Sequence, residues 1–149
     1  MGWIGQLRGK TVGLETAPLI YFIEQHPSYL ATVRPFFQGL DGSEFTVVTS
    51  MITLLEVLIR PLREGNGLLV NEYRDILFNT PRLVTLPLSQ DIAEAAARLR
   101  AIHNIRIADA VQIASALSEG ASFFVTNDAR LPVVPGLTML TLDELRAKS

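Results

Sequence analysis

Four carboxylates interrupt or close apolar runs in a chain that has no cysteine: Glu15 after Thr-Val-Gly-Leu, Glu56 inside Met51 to Ile59, Asp109 within Ile-Arg-Ile-Ala-Asp-Ala-Val, and Asp128 ending Phe-Phe-Val-Thr-Asn-Asp. An acid among apolar neighbours is costly to ionise unless a cation or hydrogen-bond donors meet it. Each has a plain local explanation. Glu56 could pair with Arg60 one turn on, Asp109 could complement a helix dipole, Asp128 suits a turn, and Glu15 could simply be exposed at a strand end. Those accounts leave the placement of the whole set unexplained, whereas one shared divalent cation explains it. Oxygen donors without cysteine or a histidine cluster favour Mg²⁺ or Mn²⁺ over zinc, and such ions can activate water and stabilise a leaving oxygen.

The elements that must position these acids follow from the hydrophobic pattern. Apolar runs of strand length alternate with longer stretches of helical period, which predicts an α/β fold with a small, mainly parallel sheet covered by helices on both faces. The expected strands are 11–14, 46–49, 83–86, 122–126 and 139–141. Helices are expected to begin near Pro18, after Ser28 and after Ser50, the last ending near Arg60 because Pro61 follows. Others are expected over 68–78, over 92–102 behind Ser89 or Asp91, along an apolar stripe of Ile107, Ala110, Val111, Ala114 and Leu117, and over 142–147. In a parallel sheet, ligands collect beyond the carboxyl ends of the strands, so Glu15, Asp109 and Asp128 belong at one rim. The helix bearing Glu56 is hydrophobic nearly all round and is expected to be buried.

The 149 residues suit a single domain, 1–149, with 1–10 as an N-terminal extension in which Trp3 is an anchor. With 48% hydrophobic and 19% charged residues the chain is no disordered tail. The lack of cysteine excludes thiolate catalysis and disulfide scaffolding. A net charge of −2, from 13 basic and 15 acidic residues, gives no global nucleic-acid footprint, although a local basic rim can still guide a phosphate chain. No apolar run is long enough for a membrane span or a signal peptide, so a soluble cytoplasmic protein is expected. His26 and His103 are expected at the surface.

The segments Gly13-Leu14-Glu15-Thr16-Ala17-Pro18-Leu19-Ile20-Tyr21, Thr49-Ser50 through Glu56, Ile107-Ala108-Asp109-Ala110 and Val125-Thr126-Asn127-Asp128, in this order and spacing, resemble the PIN-domain nucleases, particularly the small VapC-type toxin ribonucleases. The resemblance implies a three-layer α/β/α domain whose acids Glu15, Glu56, Asp109 and Asp128 bind Mg²⁺ or Mn²⁺ and hydrolyse RNA, with Thr126 and Asn127 orienting ligands or water. It further implies the toxin of a type II toxin–antitoxin pair, a small antitoxin partner and a homodimer. Arg106 and Arg130 flank the acids and are candidate contacts to RNA phosphate. Two positions depart from the family pattern. Glu15 stands where Asp is usual, and Ala17 where Ser or Asn is usual. The extra methylene moves a carboxylate by roughly 1.5 Å, and a shift of about 1 Å can cost on the order of 100-fold in rate. The alternative is therefore a catalytically impaired PIN-like module that binds RNA or protein. A receiver- or phosphatase-like domain would need a short carboxylate nucleophile after the first strand and a positioned lysine, which Glu15 and the Asp128 segment do not offer.

Overall fold

The computed structural model describes residues 2–148. Five strands, β1 (Thr11–Leu14), β2 (Thr46–Ser50), β3 (Leu83–Leu86), β4 (Phe123–Thr126) and β5 (Thr138–Thr141), form one sheet in the order β3-β2-β1-β4-β5. Every pairing is parallel. The helices are α1 (Thr16–Ile23), α2 (Leu30–Asp41), α3 (Met51–Arg63), α4 (Gly67–Asn79), α5 (Gln90–Ile102), α6 (Ile107–Ser118) and α7 (Leu142–Lys148). This is the α/β architecture the alternating pattern predicts.

Side chains alternate across the strands, and the alternation divides the apolar interior into two layers. Val12, Leu14, Val47 and Val125 pack with Phe36, Phe37 and Leu40 of α2 and Tyr73 and Leu77 of α4. Phe124 instead packs with Ala110, Ile113, Ala114 and Ala116 of α6 and with Ile92 and Ala96 of α5. Gly13 lets α6 pack closely on β1: a Cβ there would lie 2.6 Å from Ala116 Cβ and 2.6 Å from Phe124 Cδ1. The missing side chain thus sets how close α6 sits to β1. At the N-terminus a 3-10 helix, Gly2–Leu7, buries Leu7 and stacks Trp3 on Phe36 at 5.8 Å, the anchoring expected of that tryptophan.

Four local expectations need correction. α3 runs three residues past Arg60: Pro61 is accommodated inside the helix with its ring buried, at the cost of the one intrahelical bond its missing amide cannot make. α2 starts at Leu30 with Tyr29 at its N-cap; the Ser28 amide donates to His26 Nδ1, so Ser28 serves the preceding turn. α3 is not enclosed. Thr53 and Val57 are buried, but Leu55 is 56% and Leu62 60% exposed, with Met51 and Ile59 on the same outer face. Ile107, expected on the buried stripe of α6, is exposed.

The chain order places the site. From β1 the chain builds outward through β2 to β3, then returns to the other side of β1 for β4 and β5. The connections after β1 and β4 therefore part in opposite directions, and the crevice between them is the ligand position of an open parallel sheet. Glu15 and Thr126-Asn127-Asp128 stand at its two lips. No helix among the described residues is long and apolar enough to cross a membrane.

Candidate active site

Glu15 occupies the N-cap position of α1 in extended geometry, yet its side chain makes no capping bond. It reaches across to β4, where Oε1 accepts from Thr126 Oγ1 at 2.7 Å and from the Asn127 amide at 3.2 Å. Both donors serve Oε1, leaving Oε2 as the oxygen available to a ligand. Thr126 Oγ1 in turn accepts from the Asp128 amide at 2.9 Å, which ties the loop after β4 to the same carboxylate. Glu15 is 5% exposed. Burial pushes its carboxyl above the ordinary value, Thr126 and Asn127 oppose the rise, and the negative charges of Asp109 and Asp128 add to it.

Asp109 lies in the first turn of α6 and is 3% exposed. The Arg106 guanidinium covers it in a two-point contact, Nε to Oδ2 and Nη2 to Oδ1, each 3.1 Å. Asp128 is gripped similarly by Arg130, at 3.0 Å from Nε and 3.3 Å from Nη2. That hydrogen bonding holds the Asp128 carboxyl below its usual value. Arg106 is held more firmly protonated, first by Asp109 and further by the charges of Glu56 and Glu15. All four acids are thus electrostatic neighbours.

Glu56 joins the group by a route that helical periodicity could not show. Arg60 bonds Glu24 rather than Glu56, so the simple intrahelical pair is absent. Instead Thr16, the first residue of α1, donates from Oγ1 to Glu56 Oε1 at 2.6 Å. Glu15, Glu56, Asn127, Asp128, Arg106 and Arg130 line one pocket of about 530 Å³, with Asp109 behind Arg106.

The donor chemistry suits a hard divalent cation, being oxygen throughout. As arranged, Asp109 and Asp128 are committed to arginines, and among the described residues no three Asp, Glu or His side chains stand in a grouping that would hold a metal ion. Two polar atoms at or behind the pocket are buried without a hydrogen-bond partner, Asn127 Oδ1 and Gln112 Oε1. Asn127 uses its Nδ2 to bond the Tyr21 hydroxyl at 2.9 Å, so its free oxygen is the part left for another donor.

A family model described as the PIN domain matches residues 14–137, from the end of β1 to the loop before β5. The chain belongs to the PIN-domain family. No curated protein matches its sequence significantly. Solved structures do match this PIN domain in fold. VapBC2 from Rickettsia felis, bound to a DNA fragment from the promoter, superposes with a TM-score of 0.66 at 20% identity, covering 88% of this chain and 98% of that one. A toxin–antitoxin complex from Klebsiella pneumoniae gives 0.62 at 18% identity, covering 86% and 95%. VapC20 of Mycobacterium tuberculosis, a toxin that cleaves the sarcin–ricin loop, gives 0.63 at 14% identity, covering 76% and 86%.

Within this PIN domain the residues that sequence reading missed are Thr16, Thr53 and Gln112, the neutral partners behind Glu56. Gln112 carries the same signal that marked the acids: a polar residue within Ala-Val-Gln-Ile-Ala, on a helix otherwise buried along that stretch.

Proposed function

We propose that this PIN domain is a Mg²⁺- or Mn²⁺-dependent endoribonuclease that hydrolyses RNA phosphodiester bonds, working as the toxin of a toxin–antitoxin pair. The observation that carries the reading is the placement of Glu15, Glu56 and Asp128, from distant segments, on one pocket at the sheet's switch point, with Asp109 held directly behind the Arg106 that lines it. Glu15 Oε2, Glu56, Asp109 and Asp128 are the ligands in this reading. Held there, such an ion would supply polarisation of a phosphoryl oxygen and a lowered pKa for bound water. Thr126 and the Asn127 amide hold Glu15 in place, and Asn127 Oδ1 accepts from a ligand or water. Arg106 and Arg130 exchange their carboxylate partners for RNA phosphate as the strand enters. The neighbouring structures of VapBC and toxin–antitoxin complexes support an antitoxin partner, and the exposed apolar face of α3 supports a protein contact there, including one with a second copy.

The direct test is cleavage of single-stranded RNA by purified protein with Mg²⁺ or Mn²⁺ against EDTA. Cleavage that EDTA stops, and that Asp109→Asn lowers by at least about 100-fold, is expected, since even partners one shell beyond a metal's ligands cost 10- to 100-fold. Metal-independent cleavage surviving Asp109→Asn rejects the mechanism. A second reading, a PIN module that has lost catalysis, is favoured by one specific observation: two of its acids are already neutralised by arginine. Under it, the wild type is inactive and Glu15→Asp gains metal affinity and cleavage.

A further inference from the structure

Behind Glu56 lies a chain of hydrogen bonds whose direction can be read atom by atom. Thr49 Oγ1 donates to the Leu14 carbonyl at 3.0 Å, which spends its only proton. In the 2.8 Å contact between Thr49 and Thr53 the donor is therefore Thr53. Thr16 likewise spends its proton on Glu56. Both Thr16 and Thr53 are left as acceptors, and the Gln112 amide nitrogen supplies them, at 2.7 and 2.8 Å. The two amide atoms of Gln112 cannot change places, because an oxygen there would face two hydroxyl oxygens with no proton left to give. Gln112 Oε1 is then turned to the other side, buried and without a partner.

An orphaned buried oxygen is costly, and an apolar residue here would avoid that cost. What the glutamine supplies is a branch point. It is 2% exposed, stands one turn after Asp109 on α6, and bonds both the residue after Glu15 and, through Thr53, the helix that carries Glu56. We infer that Gln112 is a positioning residue of the metal site: it fixes Thr16 as a donor to Glu56 and holds α1, α3 and α6 in register so that Glu15, Glu56 and Asp109 converge. This inference rests on the metal-dependent reading above for its consequence and on the hydrogen-bond order for its geometry.

The test uses the 149-residue chain and six variants. Gln112→Met removes both donors at similar length, and Thr16→Val removes the link to Glu56 without changing its shape. Each is expected to weaken Mn²⁺ binding in calorimetry by about 10-fold or more, the size found for partners of metal ligands, and to lower kcat with KM for RNA unchanged. Thr16→Ser, which keeps the hydroxyl, restores both values. The double variant Gln112→Met/Thr16→Val loses no more than either alone, because both break one chain. Folded Gln112→Met with native Mn²⁺ affinity, failure of Thr16→Ser to rescue, or losses that multiply would each overturn the inference. A wild type that neither binds Mn²⁺ nor cleaves RNA defeats the nuclease reading instead. Thermal melts of Gln112→Met, Glu56→Ala and their combination then decide the positioning claim. Among the described residues Glu56 and Gln112 meet only through the Thr16 hydroxyl and share no direct hydrogen bond, so non-additive Tm shifts sustain the link through Thr16, and additive shifts sink it.

Discussion

Glu15 and Asp109 are buried to nearly the same degree a short distance apart, and they are kept in opposite ways. Asp109, at the start of α6, has a guanidinium on both oxygens. Glu15, at the end of β1, has only a hydroxyl and an amide, both on one oxygen, and the charges of Asp109 and Asp128 raise its carboxyl further. One acid is neutralised within the chain, and the other is left short of positive charge. Glu15 is therefore the point in the pocket where a cation is still wanted, while Arg106 and Arg130 already supply one to Asp109 and to Asp128.

The largest blow to this arrangement short of removing an acid is Gly13→Ala. Its Cβ would collide with Ala116 and Phe124, forcing α6, and Asp109 with it, away from β1 and Glu15. Overpacking of this kind costs about 1–3 kcal/mol, and cleavage should fall more than the Tm shift alone explains. Retained activity with a lowered Tm would mean that the spacing of the two acids is not critical. Glu15→Gln tests the shortage of positive charge. The folded carboxyl titrates above the ordinary value of 4.5, so the folded chain binds the proton more tightly than the unfolded one. Stability should decline as pH rises from the unfolded value through the raised folded one. Glu15→Gln removes that decline and should raise Tm at pH 7; a lowered Tm there would make Glu15 a stabilising charge. Arg130→Ala has the smallest expected effect on stability, as its partner contact is exposed. Asp128, freed from that bond, should titrate nearer its ordinary value, trimming stability at neutral pH and flattening its loss toward acid. The same variant should reduce the salt slope of RNA binding by roughly 0.7, one phosphate contact to a single strand. An unchanged slope would remove Arg130 from the RNA path.

Much of this was legible in the sequence because it follows from period and punctuation. β1 and β3 lie where their apolar runs predict, and the other strands differ by a single residue at an end. The acids were visible because each breaks an oily run. What stayed hidden depends on which side chains meet across the fold. Arg60 sits one turn from Glu56 and chooses Glu24, since α1 and α3 pack together there. Pattern also overstated the burial of α3, because an apolar face looks the same whether it covers the core or awaits a partner. Gln112 was the readable residue that went unread.

The pocket's charges also govern the chain as a whole. Setting aside its four acids and two arginines from the 15 acidic and 13 basic residues leaves eleven of each, so the protein's entire net charge of −2 resides in this one crevice. A single divalent ion there brings the molecule to formal neutrality. Loading would slow migration in native electrophoresis and draw the protein toward the uncharged condition in which solubility is lowest.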